Sequence, residues 1–418
     1  MKRRIFSSLL FAALLSLTLI QVSKSADRSE TRNAESAAAV QSHSDFDVAV
    51  TAPLTDSVLY LPNIQRGIPV QTVPNADACK LPDQDDHGAI GLSVPRTAGR
   101  LPSVGVARVK VIFVDFPDVP ATQTPQEVFN MVSPGSEQFF GDISYGRMEY
   151  VLEPHLEWYR MSKTSADYNW GTTVEAVYAY INEAIDLAEP DVDFVGADQI
   201  LIMANPNATE IFNGPAHFGP FTADGQTFHS VVTSGNDLNF WGFLWLNHET
   251  GHNLGLIDLY PYAPGSPLFV GGFDLMGNIA GAAPEYMAYH RWMLEWLDDS
   301  QIFCQQTAQE TVYLTPLEKA GGVKAVMVPV GPTKVVVVES RRAIGYDMNL
   351  PKEGALVYVV DSSISTGQGG IKVYPILSDP SFYDSPLAEG EMVTVEGVTI
   401  EVISANDNVD QVRITVSE

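Results

Sequence analysis

The stretch Trp245 to Tyr260, WLNHETGHNLGLIDLY, places two histidines and two acidic side chains among Trp, Leu and Ile. It constrains the fold more tightly than any other part of the chain, because polar groups carried into an apolar helix must find partners. His248 and His252 are spaced i, i+4, so both imidazoles lie on one helical face within reach of one ion. Glu249 is rotated about 100° away by the helical period. It misses the ion and still reaches a water beside it, where a general base belongs. Zinc hydrolases use three protein ligands and one open position. The run continues to Gly255 and Asp258, HExxHxxGxxD overall. Gly255 can end the helix in the left-handed region and turn the chain back. Asp258 then arrives as third metal ligand beside His248 and His252, with Glu249 as the candidate catalytic base. HExxH alone arises by chance in about one chain of this length in a hundred, and the added Gly and Asp lower that several hundred-fold. Glu285, on a predicted downstream helix, is the rival third ligand.

A carboxylate ligand leaves the ion less positive than a third imidazole would, so water there leans more on Glu249.

The N-terminus sets the compartment. Lys2, Arg3 and Arg4 precede an uncharged stretch from Ile5 to Ile20, then Ser23-Lys24-Ser25-Ala26, the pattern of a secretory signal cleaved near Ser25. The apolar run is short for a membrane span. Release from the cell, or into a periplasm, is the expectation. The net charge of −27 repels phosphate backbones and anionic lipid, which argues against nucleic-acid partners and against a membrane after signal cleavage. The chain has two cysteines, Cys79 and Cys304, and in an oxidising compartment they are expected to form one disulfide. The rival reading is a cysteine switch, in which the thiol of CKLPD caps the metal.

Residues 26 to about 60 are rich in Ser, Ala, Asp and Thr and read as a solvated leader. Pro95 to Gly105 reads as a linker and processing site. Val109–Phe116, a helix over Thr172–Glu189 and a strand at Asp198–Ala204 give a strand, helix, strand order. Thr227–Gly235 reads as an edge strand, and Glu285–Leu297 as a helix started by Pro284. Beyond Cys304 the pattern is all strand, with short Val-rich runs at Val323–Val330, Lys334–Glu339, Ala355–Asp361, Met392–Val395, Val398–Ile403 and Val412–Val416.

HExxHxxGxxD followed by Tyr260, then GGFDLMG (Gly271 to Gly277) and an aromatic helix ending LEWL, resembles the immune inhibitor A-like family of secreted bacterial metalloproteases. VIFVDFPD, SYGRMEYVLEPHLEWYRM and VVVESRRAIGYDMNLPKEGALVYVVD are similar as well, so the resemblance covers about residues 105 to 418. It implies a zinc endopeptidase with a propeptide, a metzincin-like catalytic domain, a β-rich C-terminal region and structural calcium. His248, His252 and Asp258 would be the ligands, Glu249 the base and Met276 the Met-turn residue beneath the metal. Arg291 and Leu-Glu-Trp depart from the family's Lys and Leu-Gly-Trp. For calcium, Asp83 to Gly88 and the pair Asp115 and Asp118 offer oxygens, but without EF-hand spacing they read better as solvated acidic loops. Tyr260, Tyr286 and Tyr289 are oxyanion candidates that read better as core.

The expectation is thus an α+β chain. A signal peptide occupies 1–25 and a propeptide or N-terminal segment 26–104. A metzincin-like protease domain, a mixed sheet with an active-site helix, occupies 105–300, and an all-β C-terminal sandwich domain 301–418. The expected function is a secreted, monomeric zinc endopeptidase acting on protein or peptide substrates. The alternative is a non-catalytic secreted adhesion or carbohydrate-binding protein with a structural metal site. A serine hydrolase lacks support, since no Gly-x-Ser-x-Gly elbow is present.

Overall fold

A computed structural model describes residues 71–82, 88–263 and 268–417. The expected signal segment, the leader to residue 70 and all but Gly88 of the acidic run Asp83 to Gly88 lie outside the described residues. The fold mixes α and β, with many strands and few helices. In chain order the first part contains β1 (Gly105–Asp115), α1 (Pro125–Phe129), α2 (Gly135–Ile143), β2 (Met148–Arg160), α3 (Val174–Ala188), β3 (Gln199–Ala204), β4 (Ala216–His217), β5 (Phe221–Ala223), β6 (Gln226–Phe228), β7 (Val231–Thr233), α4 (Leu238–Trp241), α5 (Phe243–Asn253) and α6 (Ala288–Met293). The second part is β8 (Ile302–Cys304), β9 (Gln309–Leu314), β10 (Ala325–Gly331), β11 (Lys334–Arg341), β12 (Gly354–Asp361), β13 (Ile371–Tyr374), β14 (Met392–Val395), β15 (Val398–Asn406) and β16 (Val409–Val416).

The first sheet has the order β2-β1-β3-β7-β4. All its pairs are parallel except β4 against β7. Parallel strands need crossovers, and α3 lies on the one from β2 to β3, which flank β1 on either side. Its start is set by Thr173, whose hydroxyl accepts the Ala176 N–H at 3.1 Å. Because side chains alternate along a strand, the sheet sorts its apolar residues by face. Ile112, Val114, Ile200, Ile202 and Val231 pack with Tyr180, Ile181 and Ile185 of α3. Val109, Val111, Phe113, Leu201, Met203 and Val232 join the cluster that holds Trp245 and Leu246 of α5.

Two local elements differ from the expectation. Thr227–Gly235 is not the sheet edge: it breaks into β6 and β7, and β7 is enclosed between β3 and β4. The edge on that side is the two-residue strand Ala216–His217, too short to leave a periodic signal. The helix expected over Glu285–Leu297 spans only Ala288–Met293. Remote carboxylates set its start, since Asp274 Oδ2 accepts the Met287 N–H at 2.9 Å and Glu339 Oε2 the Ala288 N–H at 2.7 Å.

Beyond residue 300, a five-stranded sheet β13-β12-β11-β10-β8 and a four-stranded sheet β14-β15-β16-β9 share an apolar cluster that includes Val326, Val336, Val338 and Val357 from one and Val312, Val398, Ile400 and Val412 from the other. The opposite face of the five-stranded sheet, with Met327, Val337 and Tyr358, belongs to the same cluster as α5. One core therefore runs across residue 300.

The N-terminal residues also enter that core. Cys79 is disulfide-bonded to Cys304, so neither thiol is available to cap a metal. The stretch around Arg96, expected as a linker, is laid against the end of α5: Arg96 Nη1 donates to Leu254 O at 2.8 Å, Leu101 N to Asn253 O and Gly91 N to Gly255 O, both at 3.0 Å. No helix among the described residues is long and apolar enough to cross a membrane.

Candidate metal centre

Helix α5 carries His248, Glu249 and His252, and its seat is the turn Asp274–Gly277. Gly251 lets the two approach: a Cβ there would lie 2.5 Å from Met276 Sδ and 2.8 Å from Tyr286 Oη. Asp274 organises the turn, accepting the Met276 N–H at 2.9 Å and facing His290 Nδ1 at 2.8 Å. The turn then presents Leu275 O to His248 Nδ1 at 2.9 Å. His252 Nδ1 finds Leu256 O at the same 2.9 Å. A carbonyl oxygen only accepts, so each Nδ1 carries the proton and each Nε2 is left with a lone pair.

Gly255 has φ +105°, in the region that favours glycine, and the chain reverses there as its position in the motif predicts. Asp258 Oδ1 arrives 3.2 Å from His248 Nε2 and 3.3 Å from His252 Nε2. The three ligand atoms lie within 4.8 Å of one another. Asp258 Oδ1 is buried and accepts no hydrogen bond among the described residues. Three lone pairs converging on one buried point repel each other unless a cation lies between them. The residues therefore fit a divalent ion.

No family model matches the chain, and no curated protein matches it.

Without an ion, protons take its place. Burial pulls both imidazoles down, but the Asp258 carboxylate outweighs it, raising His252 to about 9 and His248 above its ordinary value. Burial pushes the Asp258 carboxyl up, yet the two histidines hold it well below the usual carboxylate range. Glu249 is half-buried; burial raises its carboxyl against the opposing pull of His248 and His252. Its Oε2 accepts the Ala216 N–H at 2.8 Å, which links the helix to edge strand β4 and leaves Oε1 for a proton.

The other expected residues fall elsewhere. Glu285 is engaged on both oxygens, by Arg291 Nη2 at 2.5 Å and Tyr346 N at 3.1 Å, and does not join the cluster. Met276 packs beneath α5. Tyr286 donates to Asn247 O and Tyr289 to Leu92 O, both buried in the core. Tyr260 alone of the three stays close, its ring 6.2 Å from that of His248. Asp115 is engaged by Arg160 and Ala121 N, and Asp118 by Ser165, so they form no oxygen cluster.

The sequence reading missed three side chains. Tyr262 donates its hydroxyl to Asp258 Oδ2, and Thr366 Oγ1 accepts the Asp258 N–H at 3.0 Å. Asp274 fixes the turn beneath His248. Tyr262 was findable, lying four residues past Asp258. Thr366, 108 residues from Asp258, left no local signal.

Proposed function

We propose that the chain is a secreted zinc-dependent endopeptidase of the immune inhibitor A-like, metzincin-like type, with an all-β C-terminal region beyond residue 300. One observation carries the reading: Asp258 Oδ1, buried and with no partner but the two imidazoles among the described residues, faces both Nε2 atoms while the adjacent Glu249 carboxylate points instead to the edge strand. Two imidazoles and a carboxylate suit zinc, which when bound polarises a scissile carbonyl and acidifies water.

The chain's own residues supply the rest. Glu249 Oε1 takes a proton from the attacking water and delivers it to the departing amine. Burial raises the Glu249 carboxyl toward the range where one group can do both. The Ala216 N–H holds Oε2 and so fixes the carboxylate's direction. Strand β4, which ends its sheet among the described residues, suits an extended peptide laid beside it. The signal-like N-terminus and the Cys79–Cys304 disulfide support an extracytoplasmic location.

Casein hydrolysis by purified protein, with zinc content measured before and after chelator treatment, tests the proposal. Activity lost with the metal and restored by zinc supports it. A protein that holds about one zinc and cleaves nothing would favour the non-catalytic reading instead.

A further inference from the structure

Four hydrogen bonds tie the segment of the third ligand to the loop between β12 and β13, and a fifth joins two residues within that segment. Thr366 Oγ1 accepts the Asp258 N–H at 3.0 Å, and Gly367 N donates to Asp258 O at 3.1 Å. Tyr262 N donates to Gly367 O at 3.0 Å. Thr366 Oγ1 also meets the Tyr262 hydroxyl at 3.1 Å, and that hydroxyl donates to Asp258 Oδ2. Gly367 is needed for the fit: its φ is +69°, and a Cβ would lie 2.3 Å from the Tyr262 ring.

The result is a division between the two carboxylate oxygens. Oδ2 is held by Tyr262, and Oδ1 is left facing the histidines. His248 and His252 take their orientation from carbonyls of nearby chain, Leu275 and Leu256. The aspartate takes its main-chain position from a loop more than a hundred residues away, whose ends are fixed in the five-stranded sheet by β12 and β13.

We propose that Thr366, acting with Tyr262, is a positioning residue for Asp258, so that the loop between β12 and β13 sets the affinity of the metal centre. This rests on the metal-site reading above. A rigid imidazole pair binds a divalent ion weakly by itself, and a carboxylate on a mobile arm must be ordered each time it binds. The loop orders it beforehand. The C-terminal sheets then form part of the centre's construction, and substitutions in the loop reach the ion through one side chain.

The test is zinc affinity by chelator competition, together with the visible spectrum of the cobalt-substituted full-length protein. Thr366→Val and Tyr262→Phe are each expected to weaken zinc by about 10- to 100-fold, the range for partners that orient a ligand. Thr366→Ser keeps the hydroxyl and is expected to bind like the parent. In an Asp258→Ala background, Thr366→Val is expected to add less than about twofold, because its effect passes through that carboxylate. Thermal unfolding of the metal-free variants checks the fold, and Tyr262→Phe decides the matter should Thr366→Val unfold. Parent-like affinity and cobalt spectrum in the folded variants, or an equal loss with and without Asp258, overturns the inference. Failure of the parent chain itself to bind zinc would instead overturn the metal-site reading.

Discussion

His252 Nε2 and Asp258 Oδ1 face each other at 3.3 Å, while His252 Nδ1 is held by Leu256 O at 2.9 Å. In metal-free protein a proton bridges that gap, which makes stability depend on pH. His252 is raised from 6.5 to about 9 in the folded chain, so its contribution is fully present below pH 6.5 and is lost as pH rises toward 9. The thermal midpoint of chelator-treated protein is expected to fall across that window. Zinc-loaded protein, in which the ion replaces the proton, is expected to show a much smaller fall. Parallel pH curves for the two forms would contradict this.

Glu249→Gln is expected to retain zinc and the fold while peptide hydrolysis drops by about 10²- to 10⁴-fold. The amide oxygen can still accept the Ala216 N–H, so the side chain keeps its place without its proton capacity. Metal analysis and casein turnover on one preparation check it. Parent-like turnover would remove Glu249 from the reaction.

Asp258→Ala and Glu285→Ala are expected to fail differently. The first loses tight zinc. The second keeps zinc but strips the fully buried Arg291 guanidinium of its carboxylate partner, a loss of about 3–5 kcal/mol. Zinc content and denaturant unfolding of both variants separate the outcomes, and zinc loss from Glu285→Ala alone would reverse the assignment.

The Cys79–Cys304 bond closes a loop with a sequence separation of 225. Replacing both cysteines with serine is expected to cost about 2–5 kcal/mol, read by chemical denaturation. A chain cut near Arg100, in the segment read as a processing site, is expected to keep its N-terminal piece on non-reducing gels and release it on reducing ones. Release without reductant would show that the bond does not form.

The parts of the centre held in one contiguous run were legible. His248, His252, Gly255 and Asp258 lie within eleven residues, where helical period and one glycine decide the geometry. Strands β1 and β3 and helix α3 were legible for the same reason, since their burial is written in their own periodicity. What escaped depends on long-range contacts. Edge strand β4 has two residues and exists because β7 lies beside it. The first turn expected of α6 is absent because Asp274 and Glu339 take over its first amides. Arg291 pairs with Glu285, and Arg341 with Glu318, Glu339 and Asp347, in a buried ionic group that no local pattern announces.

The brevity of β4 has a colloidal consequence. An open sheet border is a template on which copies of a protein can stack into fibrils. Here the border offers only Ala216 and His217 between Pro215 and, after Phe218 and Gly219, Pro220, and proline carries no amide hydrogen to extend a ladder. A single stretched guest can rest there, but self-association has almost nothing to propagate along at this border. Lengthening that border with strand-forming residues in place of the prolines is therefore a route to insoluble protein.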